Sequence, residues 1–327
     1  MSAVATGTDA MSLRSARTGR RADQAFRAVT LAAGFLVFVL LAAIALFLVL
    51  KALPAFHADK SSFWTTKIWD PDGTGRFGIE ALVFGTVLSS MLALLMSVPV
   101  ALGVSLYITQ YAPRRFATFL GYVTDMLAAV PSVVYGLWGV FFLLPHMIGL
   151  QVFLSRYLGW IPIFSDEGGH ASSYSKSIFG AAVVLAIMIL PIIAAISREI
   201  FRQVDPSQRE AALALGATRW EMIRTAVLPP SWSGVTSAVM LGLGRALGET
   251  IAVALVIGNT FTIDWHTLVP GGNTIAANIA NRFGEAGSTG RAALIASGLV
   301  LFAITLVVNL VARYVIFRAG KEERAAV

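Results

Sequence analysis

The sequence predicts an all-α, polytopic membrane protein with about six transmembrane helices, and three observations carry that prediction. Only 13% of the 327 residues are charged while 57% are hydrophobic, about half the charge of an ordinary soluble domain. The mean hydropathy is +0.74. Several apolar runs reach the roughly 20 residues that a helix needs to cross about 30 Å of hydrocarbon.

The runs are Val29 to Leu50, Glu80 to Ile108, Phe116 to Ile148, Ile178 to Ile200, Ser231 to Gly258 and Ala292 to Phe317. The second, third and fifth exceed one straight crossing, so they are expected to tilt, kink or extend beyond the bilayer, with Pro99, Pro131 and Pro145 as kink sites. The first run, 22 residues long, exceeds the apolar core of a cleaved signal peptide and reads as a retained anchor.

Basic residues set the orientation. Sixteen Lys and Arg lie in the N-terminal tail, the second loop, the fourth loop (counted from Arg198) and the C-terminal end, against eight in the other loops. The positive-inside bias therefore places both termini in the cytoplasm. The chain divides into a basic tail (1–28), an anchor helix (29–50), an outer loop (51–79), a core of five spans (80–317) with a cytoplasmic helix at 206–228, and a short tail (318–327). Trp64, Trp69, Trp160 and Trp265 suit the outer membrane interface.

Several function classes drop out. The +7 formal charge is spread between apolar runs rather than along a soluble face, so it reads as membrane topology and not as nucleic-acid binding. Cysteine is absent, which removes disulfides and thiolate ligands. His57, His146, His170 and His266 are scattered without ligand spacing, so no metal is expected. No nucleophile, base and orienting group can be assembled, so no catalytic residues are assigned. Asp125, near the cytoplasmic start of the third run, is expected to meet interfacial water or a basic neighbour. The polar stretch Ser165 to Ser177 reads as an exposed loop.

Two segments stand out. Between the fourth and fifth runs, Asp205 is a candidate N-cap with Pro206 in the first turn, and Ala211, Leu215, Met222 and Ala226 recur at roughly helical spacing. This predicts a short amphipathic helix on the cytoplasmic face, bent or closely approached at Gly216 and ended by Pro229.

The fifth run holds Arg245 and Glu249, and Arg245 lies more than about 20 Å of helix from either end. A charge at mid-bilayer costs about 2.5–3.5 kcal/mol, so a partner or a passing ion must offset it. Four residues apart on one helix, the two can pair, either as a structural lock on helix register or as a transport feature. Gly244 and Gly248 form a close-packing face beside them.

The pattern Glu210, Ala211, Ala212, Gly216, Leu228, Pro229 resembles the EAA loop of bacterial ABC importer permeases, although Ala226 stands where that family usually has a branched apolar residue. The strings Gly242 to Val253, Pro131 to Gly139 and Phe84 to Ser90 are similar to the PstC-type permeases of the phosphate-specific ABC importer. The likeness runs from about Phe77 to Arg313.

This resemblance implies a type I ABC importer permease fold. It gives Glu210, Ala211, Ala212 and Gly216 the role of docking an ATP-binding subunit, and Arg245 and Glu249 a role in phosphate passage. The implied partners are a second homologous permease, ATP-binding cassette subunits and an extracytoplasmic phosphate-binding protein. ATP and Mg belong to the partner ATPase, since this chain has no phosphate-cradling G-x-x-x-x-G-K-[ST] loop and needs no cofactor of its own.

Guanidinium suits an oxyanion through its bidentate donors, and Glu249 is expected to act as a latch that neutralises Arg245 until phosphate replaces it. Open alternatives are a permease for molybdate, sulfate or an organic solute, an ion-coupled secondary transporter or channel, and an intramembrane enzyme.

Overall fold

In the computed structural model, residues 8–166, 169 and 176–325 are described, with side chains over 23–166, 169 and 176–314. His170 and most of the Ser165 to Ser177 stretch lie outside them, as do 1–7 and 326–327. The chain divides into two units, Met1–Lys51 and Ala52–Val327. The first is occupied by most of helix α1 (Thr8–Ala58), whose apolar stretch is exposed all round, as expected of a helix solvated by lipid.

The second unit begins with the end of α1. A small hairpin of β1 (Trp69–Asp70) and β2 (Arg76–Phe77) follows, and then α2 (Glu80–Leu106). Next come α3 (Arg114–Ala128), α4 (Ser132–Trp138), α5 (Leu144–His146) and α6 (Ile148–Leu158). The remainder is α7 (Ile178–Gln203), α8 (Pro206–Ala214), α9 (Arg219–Met222), α10 (Leu228–Gly248), α11 (Ile251–Val256), α12 (Ile275–Arg282) and α13 (Ser288–Ala325).

Among the described residues, four helical segments are long and apolar enough to cross a membrane: Asp23–Ala58, Glu80–Tyr111, Ile178–Gln203 and Ser288–Tyr314. A fifth crossing requires the pair Arg114–Ala128 and Ser132–His146, which meet at 90°. The expected single helix over Phe116 to Ile148 is therefore corrected to an elbow. Pro131 has no N–H to donate and disfavours a helical Val130, so the backbone leaves the helix after Ala128. The Tyr135 hydroxyl donates to Leu127 O at 2.9 Å across the bend and fixes it.

The fifth expected run is corrected as well. Helix α10 stops at Gly248, Glu249 is extended (φ −67°, ψ 127°), and α11 starts two residues later.

Helix α7 is the centre of the core. Its side chains from Ile178 to Phe201 are buried on most sides, against α2, α3 and α10. It runs antiparallel to α10: a Cβ on Gly234 would meet Ile200, and one on Gly242 would meet Ile193 at 2.7 Å. Small residues thus let two helices approach where dispersion contact must replace hydrophobic drive.

Outside this core, the Asp72 carboxylate accepts from Gly287 N and Gly290 N, both at 2.8 Å. The hairpin loop is thereby clasped to the first turn of α13, where free N–H groups await an acceptor.

The segment after α11 folds back onto α2. Asn259 has a positive φ of 57°, its side-chain oxygen accepts from Asn273 Nδ2 at 2.8 Å, and Ile275 N donates to Thr86 Oγ1 at 3.0 Å. A Cβ on Gly85 would stand 2.0 Å from Asn273 O. Gly85→Ala should therefore destabilise the protein by about 1–3 kcal/mol through overpacking against backbone. A lowered thermal midpoint of the detergent-solubilised protein checks this, and an unchanged midpoint refutes it.

Candidate functional site

The three strings singled out in the sequence converge. Gly136, in α4, presents bare Cα to α11, where a Cβ would meet Ala252 Cα at 2.8 Å. Phe84 to Ser90 carries the loop after α11 through Gly85 and Thr86. The break between α10 and α11 is thus held from two sides, by α4 and by the loop anchored on α2.

Arg245 sits in the last turn of α10, exposed in this chain. It opens into a cavity of about 420 Å³ lined by Ile192, Met240, Leu241, Gly244 and Asn309. No ion pair joins Arg245 to Glu249 among the described residues. Instead the Glu249 carboxylate accepts from Ala252 N at 3.2 Å, as a cap on α11. The expected pairing on one helix face fails because Glu249 lies beyond the helix end. A carboxylate that satisfies a free N–H three residues on favours that break over a continuous helix.

The exposed stripe of α10 runs through Ser233, Ser237, Leu241, Arg245 and Gly248. A lipid-facing stripe would be apolar and bulky. Apart from Leu241, this one is small or polar, with Ser237 Oγ donating to Ser233 O at 3.0 Å. Gly244 and Gly248 have open space where a Cβ would stand, so no described residue packs directly against them.

The segment expected as one helix over 206–228, ended by Pro229, is instead α8 and, after Gly216, a second helix that starts as α9 and runs on through a π-helical stretch (Ile223–Val227) and Pro229 into α10. Asp205 caps α8 by accepting from Ser207 N at 2.9 Å, with Pro206 in the first turn. Gly216 then takes φ +85°, a left-handed conformation that costs glycine nothing and ends the helix. Thr218 and Glu221 form a capping box that starts α9.

Hydrogen bonds from Ser207 hold Asp205 below its ordinary value, the backbone bond first and the hydroxyl second. Those from Thr218 do the same for Glu221. Both folded values are lowered, so these caps are complete at neutral pH and weaken only as pH falls through the lowered values.

Met222 is buried, and Ala212 and Ala226 pack around the same small cluster under Phe201. Glu210, Ala211 and Gly216 are exposed, beside Leu213, Leu215 and Trp220, with Leu215 89% exposed. A surface of small and apolar groups with one carboxylate is suited to a protein partner.

Asp125 does find a basic partner: Arg198 Nη2 donates to both its oxygens at 2.9 and 3.0 Å. Counting Arg198 among the loop residues misplaced it. The residue lies on the buried side of α7 and is only 8% exposed. Its signal in the sequence was a position one turn inside the helix end rather than beyond it. No group of three or more His, Asp or Glu residues among those described is placed to hold a metal ion.

Comparison with known proteins gives consistent results. Residues 98–321 match the family described as "Binding-protein-dependent transport system inner membrane component". Among curated proteins, the chain is 44% identical over 302 residues to phosphate transport system permease protein PstC 2 of Mycobacterium tuberculosis, covering 91% of this chain and 92% of that one. It is 45% identical to PstC of Mycobacterium leprae, covering 82% and 85%, and 38% identical to PstC of Xylella fastidiosa, covering 93% of each. Among solved structures, the inward-facing MetNI methionine ABC transporter matches with a TM-score of 0.53 at 14% identity, over 73% of this chain and 96% of that one. That likeness concerns the fold.

Proposed function

We infer, from the premise that this chain belongs to the family of binding-protein-dependent transport system inner membrane components, that it is the permease subunit of an ATP-driven importer of inorganic phosphate. It is a multi-pass membrane protein and a transport subunit, with ATP hydrolysis carried by a separate subunit. Relatives named as phosphate permeases match nearly end to end, which favours phosphate over sulfate, molybdate or an organic solute. Uptake of labelled phosphate in a strain lacking its own importers checks the substrate. Absence of phosphate uptake together with uptake of labelled sulfate or molybdate would reassign it.

The observation that carries the mechanism is the exposed polar stripe of α10 with Arg245 on it. A second homologous permease covers this stripe, and the pathway runs between the two. Gly244 and Gly248 give the partner helix close approach, and Arg245 gives a crossing anion a planar set of donors. Both termini lie in the cytoplasm, which puts α8 and α9 on the side of the ATP-binding cassette subunits. There Glu210, Ala211, Ala212 and Gly216 form the docking surface, and the opposite face receives the phosphate-binding protein. ATP and Mg act on the cassette subunits.

Glu249 is a latch with two positions: a cap on α11, the arrangement described above, and a counter-ion for Arg245 when the pathway is empty and closed. Glutamine keeps an oxygen for capping and loses the charge. Glu249→Gln is therefore expected to raise ATP hydrolysis in the absence of binding protein and to lower phosphate uptake several-fold. Uptake and idle hydrolysis both equal to those of the parent protein would dispose of the latch.

A further inference from the structure

A series of contacts, polar at the docking end and apolar at its last step, leads from the docking surface to the break beside Glu249. On α8, Arg209 lies one residue before Glu210. Its Nη2 donates to Phe201 O, Arg202 O and Val204 O at 3.3, 3.4 and 2.6 Å, and so caps the carbonyl end of α7. Within α7, Arg198 holds Asp125 of α3 through both carboxylate oxygens. Gly121, one turn before Asp125, makes room for it: a Cβ there would stand 2.8 Å from Arg198 Nη1. From α3 the Tyr135 hydroxyl bond spans the elbow to α4, and Gly136 of α4 rests on α11 at Ala252, whose N–H is the one that Glu249 caps.

The Arg198 side chain is 10% exposed and that of Asp125 50%, so the pair sits at the edge of the core rather than sealed within it. Here a single nitrogen makes both bonds, which leaves the pair free to pivot as α3 turns against α7.

We propose that Arg209, Arg198 and Asp125 are positioning residues that transmit movement of the docking helices to the α10–α11 break, with the Arg198–Asp125 pair as the pivot. This linkage rests on the importer reading of the chain. Coupling of this kind is a free-energy difference between two arrangements, so it shows in how much substrate moves per nucleotide hydrolysed rather than in either rate alone.

The test uses the complete importer, co-purified with its partner subunits and placed in liposomes with binding protein and labelled phosphate. Uptake and ATP hydrolysis are read on the same vesicles. Asp125→Asn and Arg209→Gln are expected to lower phosphate moved per ATP about tenfold while hydrolysis stays within about twofold. Arg209→Lys and the exchanged pair D125R with R198D should restore the ratio.

The linkage is overturned if the ratio stays at the parental value in Asp125→Asn and Arg209→Gln, including the case where uptake and hydrolysis fall together because assembly is lost. It is also overturned if the exchanged pair leaves the ratio as low as Asp125→Asn does. Uptake by the unaltered importer tests the importer reading separately, since the linkage is judged only from ratios between variants.

Discussion

Arg245→Ala should reduce phosphate uptake about 10- to 100-fold while leaving the amount of assembled importer unchanged. Hydrogen bonds from a charged donor are worth about 1.5–3 kcal/mol, and each 1.4 kcal/mol is a factor of ten. Arg245 is exposed at the cavity between α7, α10 and α13 and packs into no buried cluster, so its removal leaves no void in the core. Lysine keeps the charge but loses the planar fork, and Arg245→Lys should recover only part of the uptake. The measurement is initial uptake at several phosphate concentrations. Uptake by Arg245→Ala within twofold of the parent would mean that the anion passes without meeting this side chain.

The second large effect belongs to the docking surface. Ala211 is exposed on α8, next to Glu210 and near the fully presented Leu215. Replacing it with arginine adds bulk and charge at the centre of a contact that needs close backbone approach. Central interface residues cost 2 kcal/mol or more when disrupted, about 30-fold in affinity. Ala211→Arg should therefore strip the ATP-binding subunits from the purified complex and abolish uptake, with the permease itself folded to the same thermal midpoint. The amount of ATP-binding subunit retained on affinity purification reads the effect directly, and full retention with normal uptake would place the docking surface elsewhere.

The membrane character and the helix start at Asp205 and Pro206 were legible because they follow from local chemistry. Apolar runs, an Asp-Pro helix start and a glycine at a bend act over one or two turns. The elbow at Pro131 was foreseen only as a kink. A proline marks where a helix can turn, but the 90° angle comes from the Tyr135 bond and the packing of α3 on α7.

The break at Glu249 was not legible. Apolar residues continue through Ile257, and nothing in that run says that a carboxylate will spend its hydrogen bond on Ala252 N instead of on Arg245. Arg198 was misread for a related reason. Loop assignment by charge assumes that arginines mark water, whereas Asp125, 73 residues away, supplies an acceptor that keeps this one inside.

The Asp72 clasp joins residues 215 and 218 positions apart. A contact with so long a sequence separation cannot form until the chain through Gly290 has been made. The hairpin loop therefore waits, unfastened, while more than 200 residues are added after it. A chain cut short before Gly287 would lack both donors and keep that loop open.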